Sequence, residues 1–173
     1  MKKNLVLAGL LAAMVCVATS LLHITIPGGT GGYVHLGDAV IYLAAALLPT
    51  PYAVAAAAIG SGLADVLVAP LWAPFTIVIK AVMALTFTAK KERLLCRRNV
   101  FATLFAGIVC VVGYYIAEVI ILWVGGDFGS AAFAALAAVP FNGAQALASG
   151  IAFILLAAAL DRLNLKRWLT RFK

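Results

Sequence analysis

Long apolar stretches alternate with short polar ones along this chain, at a spacing that predicts membrane-spanning helices. A helix of about 20 apolar residues crosses the ~30 Å hydrocarbon core of a bilayer. The pattern predicts one all-α membrane domain, residues 1–173, with six transmembrane helices. The spans cover about residues 4–22, 35–48, 52–69, 72–89, 100–124 and 140–160. We expect a short helix or flap over residues 130–139 and a basic amphipathic tail over residues 161–173.

Basic residues are concentrated at one end of the predicted bundle. All but one of the 13 Lys and Arg residues lie near the N-terminus, between the fourth and fifth spans, or in the tail. Loops rich in Lys and Arg stay in the cytoplasm, so we expect both termini to be cytoplasmic. This distribution accounts for the net charge of +7, and it predicts contact with a lipid bilayer rather than with nucleic acid.

The composition excludes a soluble globular domain. Apolar residues make up 65% of the chain and charged residues 11%, with a mean hydropathy of +1.11, whereas soluble domains contain about 25% charged residues. The three cysteines are widely spaced and the histidines number two, so neither a disulfide framework nor a metal site is predicted. No HExxH, GxSxG or Gly-rich phosphate-loop motif is present. We predict no enzymatic activity, no catalytic residue and no cofactor bound by this chain.

Strongly polar side chains lie inside the apolar spans, all near the end opposite the basic loops. They are Asp38, Asp65, Lys80, Glu118, Asn142 and Gln145. An ionised side chain at a helix centre costs roughly 2.5–3.5 kcal/mol on insertion scales, so these groups are not expected to face lipid. Residues three or four apart share a helix face, which places Tyr114 beside Glu118 and Asn142 beside Gln145. The pattern predicts an internal polar pocket that opens outward and binds a small solute.

Structural roles compete with ligand binding for the charged members of this set. In the alternative interpretation, Lys80 and Asp65 form an ion pair between the third and fourth spans. They then stabilise the helix packing and do not contact the ligand. Asp38 and His35 stand where a helix begins, and helix capping is an alternative role for both. Glu118 has no basic partner left once Lys80 is paired, which favours a ligand-binding role for this carboxylate.

Amide and aromatic side chains complete the candidate site. Asn142 and Gln145 offer hydrogen-bond donors and acceptors, and interhelical hydrogen bonding is their alternative role. Aromatic residues predicted at the same level are Tyr33, Trp72, Tyr114 and Phe141. Membrane-interface belts also use Trp and Tyr. If these rings line the pocket instead, stacking surfaces beside mixed donors and acceptors suit a flat, polar heteroaromatic solute.

Fragments of the chain, in this order, resemble the substrate-binding (S) component of an energy-coupling factor (ECF) transporter. The fragments are residues 32–38 (GYVHLGD), 60–65 (GSGLAD), 72–80 (WAPFTIVIK), 115–118 (YIAE) and 140–145 (PFNGAQ). The resemblance covers essentially the whole chain and implies a multi-pass protein of a prokaryotic plasma membrane. It implies capture of a vitamin or vitamin precursor from outside, with hydroxymethylpyrimidine, pyridoxine or riboflavin favoured as ligands.

The resemblance also implies partners. The S component docks on a transmembrane T component, and two cytoplasmic ATPases hydrolyse the ATP. The Ala-x-x-x-Ala motif of the first helix, Ala8 and Ala12, is expected to contact the T component. The Gly-rich loop between the first two helices is expected to close over the ligand.

Two other functions stay open on the sequence alone. A self-sufficient carrier driven by an ion gradient also needs a polar pocket, although the internal repeats typical of such carriers are not evident. An intramembrane enzyme needs a nucleophile with a base or a metal cluster, and no such motif is present. Dependence of uptake on ATPase partners separates the carrier from the ECF interpretation.

Overall fold

The computed structural model describes residues 2–26, 30 and 32–171, with Thr170 and Arg171 described by their backbone alone. It is 81% helical. The described residues form α1 (Lys2–Leu21), β1 (His23–Thr25), β2 (Tyr33–His35), α2 (Gly37–Leu47), α3 (Thr50–Val68), α4 (Ala73–Leu85), α5 (Arg97–Trp123), α6 (Phe128–Ala135), α7 (Val139–Arg162) and α8 (Leu165–Arg171). Short 3₁₀ turns, Pro70–Trp72 and Leu136–Ala138, precede α4 and α7.

Four helical segments of the described chain are long enough to span a membrane. They are α1, α3, α5 and the combined segment Phe128–Arg162, each long and apolar enough to cross a bilayer. Large apolar side chains are exposed on their outer faces, including Val6, Leu67, Leu104 and Leu155. Because so much exposed apolar surface is unfavourable in water, these faces suit a lipid environment. The chain is a helical membrane protein, as the sequence predicts.

Two of the predicted spans are shorter in the structure than a full crossing. Helix α2 has 11 residues, and the fourth helical segment ends at Leu85 instead of continuing to residue 89. At its end the Thr86 hydroxyl donates to the carbonyl oxygen of Met83 at 2.8 Å, and the chain then turns. The Asn99 carboxamide accepts the Thr88 N–H at 3.0 Å and holds that turn against α5. The count of six spans therefore stays a prediction.

Helix α3 lies between α1 and α4, and glycines allow both neighbours to approach closely. A Cβ atom added to Gly60 would stand 2.5 Å from the Ala12 carbonyl oxygen of α1. One added to Gly62 would stand 2.6 Å from Cγ1 of Ile77 in α4. Small residues are the usual means by which membrane helices bring their backbones together. The packing of α1, α3 and α4 thus depends on the absence of these side chains.

A short antiparallel strand pair connects α1 to α2, where the sequence analysis predicts only a Gly-rich loop. His23 pairs with His35 and Thr25 pairs with Tyr33. Three-residue strands carry too little alternation to be recognised from sequence, since a period of two needs several residues to show. We call residues 23–35 the strap; within it, residues 23–26, 30 and 32–35 are described.

The segment before the last long helix agrees with its prediction. Helix α6 and the 3₁₀ turn cover residues 128–138, where a short helix or flap is expected. Asp127 caps α6 by accepting the Ser130 N–H at 3.0 Å, and this hydrogen bond lowers the pKa of the Asp127 carboxyl below its usual value. Pro140 lies in the first turn of α7, where its missing N–H costs nothing.

Candidate ligand-binding site

A small cavity lies between the strap and the helices at the end of the bundle remote from the basic loops. It is lined by Ile26, Gly32, Tyr33, His35, Asp65, Trp72, Tyr114, Glu118, Ala138 and Asn142. Seven of these ten residues belong to the site predicted from the sequence; Ile26, Gly32 and Ala138 do not. The cavity volume is about 20 Å³, roughly the space of one water molecule. This is a closed conformation, and a larger ligand requires its walls to move apart.

The strap is attached to three different helices. The Thr30 hydroxyl donates to Oε1 of Glu118 in α5 at 2.8 Å, and the Thr30 N–H donates to the same oxygen at 3.3 Å. The Tyr33 hydroxyl donates to the Asp65 carboxylate of α3. The His35 N–H donates to Oε1 of Gln145 in α7 at 2.9 Å. Each of these bonds closes the cavity from above.

The phenol of Tyr33 is a hydrogen-bond donor at neutral pH. Burial, together with the adjacent Asp65 carboxylate, raises the pKa of Tyr33 above its usual value. The Asp65 oxygen is therefore the acceptor of this bond. The carboxylate holds the strap against α3.

Aromatic side chains form one wall of the cavity. The ring centroids of Trp72 and Tyr114 are 5.9 Å apart, and the Tyr114 hydroxyl lies 3.0 Å from Oγ1 of Thr76. Trp72 is 5% exposed, and its indole N–H has no hydrogen-bond partner among the described residues. Gly32 lies next to this ring: a Cβ there would stand 3.4 Å from Cζ2 of Trp72, which is an ordinary van der Waals contact. An unpartnered buried donor that lines a cavity suits a ligand with an acceptor.

A second polar cluster lies directly behind the cavity lining. The Lys80 Nζ is 2.7 Å from Oδ1 of Asp38, and both side chains are 0% exposed. The amide of Gln145 donates to the other Asp38 oxygen at 2.9 Å. Lys80 Nζ also lies 4.9 Å from the centroid of the Tyr114 ring. Three predicted site residues, Asp38, Lys80 and Gln145, therefore support the wall from behind and do not line the cavity.

The alternative pairing of Lys80 with Asp65 is wrong in this structure. Lys80 pairs with Asp38 of α2, and Asp65 is bonded to Tyr33 of the strap. His35 has the alternative capping role: its Nδ1 accepts the Gly37 N–H at 3.1 Å in the first turn of α2. Asp38 has no capping role, because its two carboxylate oxygens are bound by Lys80 and Gln145.

The docking role predicted for Ala8 and Ala12 conflicts with their position. They are 6% and 9% exposed, and Ala12 lies against Gly60 of α3. A residue buried between two helices of its own chain is not available to a partner. Gly9 and Ala13, one position further along and so about 100° further round α1, are exposed, and no atom lies within 4 Å of a Cβ placed on Gly9.

The cavity and strap residues outside the predicted site carry weak signals in the sequence. Ile26 and Ala138 are single apolar residues in an apolar chain, and no pattern distinguishes them. Thr30 stands in the Gly-rich loop, where a hydroxyl among glycines is the one hint of a specific contact. Within the described residues, no group of three or more His, Cys, Asp or Glu side chains is placed to hold a metal ion.

A bundle of apolar helices that encloses polar side chains beneath a strap defines a helical membrane protein with an internal polar cavity. The sequence pattern of the family described as the S component of ECF-type riboflavin transporters matches residues 1–162. The chain belongs to this family. S components of ECF transporters capture vitamin substrates and work with T and ATPase modules.

Two individual proteins are also similar to this chain. The solved structure of the S component of a bacterial ECF transporter has a TM-score of 0.74 and 21% identity to this chain, and the match covers 94% of this chain and 97% of that one. At that identity the likeness shows the fold. A protein from Pyrococcus woesei, described as an uncharacterized protein in a gap 3′ region, is 36% identical over 113 residues, which are 65% of this chain and 76% of that protein.

Proposed function

We propose that this chain captures a small water-soluble vitamin or vitamin precursor in the cavity beneath the strap. The ligand enters from the extracellular side and leaves through a T component driven by two cytoplasmic ATPases. The observation that carries the proposal is the strap, which closes a polar cavity through Thr30 and Tyr33 onto Glu118 and Asp65. A closure made of a few hydrogen bonds can open for a ligand and re-form over it.

The chemistry of the lining favours a flat heteroaromatic ligand. Trp72 and Tyr114 offer ring surfaces, and the Trp72 N–H requires an acceptor. Asn142 lines the cavity with an amide that both donates and accepts. Riboflavin, the ligand in the family's description, has an extended ring system with acceptors and donors along its edge. Pyridoxine and hydroxymethylpyrimidine are smaller ligands of the same kind.

The proposed arrangement in the membrane has six crossings with both termini in the cytoplasm of a prokaryotic cell. The basic residues support it, because the cluster at 90–98 and the described tail residues at 162–171 lie at the end remote from the cavity. The short helices α2 and α4 would cross with the help of their flanking loops. Helix α2 is largely buried among its neighbours, whereas α4 exposes apolar side chains such as Val78 and Leu85 that suit contact with lipid.

The proposed contact with the T component is on the exposed face of α1. Gly9 and Ala13 form a small-x-x-x-small pair there, which allows a second helix to approach closely. This pair replaces Ala8 and Ala12 in the proposal. Replacing Gly9 and Ala13 by leucine should prevent assembly with the T component and leave ligand binding unchanged. Assembly that survives this double substitution would contradict the proposed docking face.

Calorimetric titration of the purified protein with riboflavin, pyridoxine and hydroxymethylpyrimidine tests capture. We expect one of them to bind, and Asn142→Ala to weaken its affinity by about tenfold through the lost hydrogen bonds. Glu92→Gln, on the exposed basic loop, is the matched control and should bind as the wild type does. Uptake into vesicles that contain this chain alone would favour an ion-gradient carrier instead.

A further inference from the structure

A groove opens at the basic end of the bundle, remote from the cavity beneath the strap. It lies where α1 begins and α2 ends, and the loop after α4 and helix α8 form its other walls. We call this space the basic groove; among the residues that line it are Lys3, Lys90, Lys166, Leu7, Leu47 and Leu169. Its volume is about 570 Å³, within the range of about 300–1,000 Å³ that is typical of ligand pockets.

The basic groove gathers positive charge from distant parts of the chain. Lys3 belongs to α1, Lys90 to the loop after α4 and Lys166 to α8. The described lining contains no Asp or Glu side chain, and the carboxylates Glu92 and Asp161 line neighbouring clefts instead. An occupant of complementary charge is therefore an anion.

Lys166 supplies a half-buried ammonium whose described hydrogen bonds are all to neutral oxygens. Its Nζ donates to the carbonyl oxygens of Ala46 at 2.9 Å and of Lys91 at 2.6 Å. An ammonium has three N–H donors, so one donor has no partner among the described residues. The Asp161 carboxylate acts electrostatically on Lys166 but accepts two backbone N–H groups of its own. The third donor of Lys166 is available to an anion in the groove.

Apolar side chains line the rest of the basic groove. Leu7 follows Lys3 by one turn of α1, Leu47 ends α2, and Leu169 belongs to α8. Because α1 enters the bilayer from this end, Leu7 lies about 6 Å deeper than Lys3. Trp168 of α8 is 56% exposed, as expected for a ring at a membrane interface. A molecule that fills the groove therefore needs an anionic end and an apolar end.

We propose that the basic groove is a binding site for one anionic phospholipid of the cytoplasmic leaflet. The headgroup phosphate contacts the ammonium groups of Lys90 and Lys166, and an acyl chain lies along the leucines. A phospholipid combines these two chemistries, whereas free phosphate matches the lysines alone. Basic pockets between helices at the cytoplasmic face bind such headgroups in other membrane proteins. The site is separate from the cavity beneath the strap, and it does not depend on vitamin capture.

Native mass spectrometry of the purified full chain tests this site. The protein, in mild detergent, receives an equimolar mixture of phosphatidylglycerol and phosphatidylcholine with identical acyl chains. We expect one lipid to remain bound, with phosphatidylglycerol preferred at least about tenfold. The preference arises because each lysine near an anionic headgroup strengthens binding by about fivefold.

Two neighbouring lysines provide a diagnostic variant and its matched control. Lys90 is exposed, and no described hydrogen bond or ion pair uses its side chain. Lys90→Gln should therefore reduce the preference for phosphatidylglycerol by about fivefold and leave the melting temperature unchanged. Lys91→Gln removes the same charge from the next position, whose side chain does not line the basic groove, and should leave the preference unchanged.

Three results would overturn the proposal. The first is equal retention of the two lipids, or equal preferences in Lys90→Gln and Lys91→Gln, which would indicate diffuse surface charge. The second is displacement of the lipid by a wash with inorganic phosphate, which would indicate a site for free phosphate. The third is a chain that retains no lipid and binds vesicles of phosphatidylglycerol no better than vesicles of phosphatidylcholine; the groove would then be left to a protein partner.

Discussion

Removing the buried cation of the Asp38–Lys80 pair should strongly destabilise the protein. Lys80→Met keeps the volume and apolar stem of the side chain and leaves Asp38 without its partner. Both side chains are fully buried and 2.7 Å apart, and removing one member of such a pair costs about 3–5 kcal/mol. For a chain of this length that corresponds to a fall in melting temperature of about 6–20 °C. The Gln145 amide remains as a hydrogen-bond donor to Asp38 but does not neutralise its charge.

A double-mutant cycle distinguishes this pair from the alternative pair with Asp65. The assay is thermal unfolding in detergent, followed by circular dichroism, for the single variants Lys80→Met, Asp38→Asn and Asp65→Asn and the two double variants that contain Lys80→Met. We expect Asp38→Asn to recover most of the stability that Lys80→Met loses, because no unpaired charge is left. Asp65→Asn should not recover the stability that Lys80→Met loses, so the effects of these two substitutions on stability should simply add. Recovery by Asp65→Asn and none by Asp38→Asn would refute the pairing of Lys80 with Asp38.

Further predictions concern helix packing, the strap and the basic loop. Gly60→Ala should lower stability by about 1–3 kcal/mol through overpacking against α1, whereas Gly9→Ala, with open space around it, should be neutral in the same thermal assay. Thr30→Val should accelerate ligand dissociation by about tenfold in stopped-flow fluorescence, because the strap loses its hydroxyl bond to the Glu118 carboxylate. Asp161→Ala should lower the melting temperature, since this carboxylate accepts two backbone N–H groups of the loop before α5, both at 2.9 Å, and each unpaired N–H costs about 1–3 kcal/mol.

Each of these predictions has an outcome that contradicts it. Equal stability of Gly60→Ala and Gly9→Ala would mean that α1 does not pack on α3 at this level. An unchanged dissociation rate in Thr30→Val would mean that the strap is not held by its hydroxyl. A wild-type melting temperature for Asp161→Ala would mean that the loop is fastened by other contacts.

The sequence predicts the depth of polar residues in the membrane, but it does not predict which side chains they pair with. An apolar helix of known ends shows how far along it a polar residue lies, which is why seven of the predicted residues lie around one cavity. Which neighbour Lys80 faces depends on the lateral order of α2, α3 and α4, and no single helix carries that information. The structure decides it by placing Asp38 next to Lys80 and by turning Asp65 toward Tyr33.

The choice of face on α1 illustrates a second limit. Ala8, Gly9, Ala12 and Ala13 all lie in one apolar helix with no polar stripe, so the sequence marks neither face as internal. Burial is decided by Gly60 of α3, which receives Ala12 and leaves Gly9 and Ala13 outside. Which face of a helix is buried depends on packing partners that are distant in the chain. A small-residue motif alone therefore does not distinguish Ala8 and Ala12 from Gly9 and Ala13, one position further along.

The most direct test of vitamin capture is mass spectrometry of small molecules released from the gently purified protein. We expect a heteroaromatic vitamin in stoichiometric amount, and its loss from protein that carries Asn142→Ala together with Glu118→Gln. Titration of the stripped protein with the released compound should restore one equivalent of binding. No released molecule and no binding by any vitamin tested, or release that is unaffected by the double substitution, would contradict capture in the cavity beneath the strap.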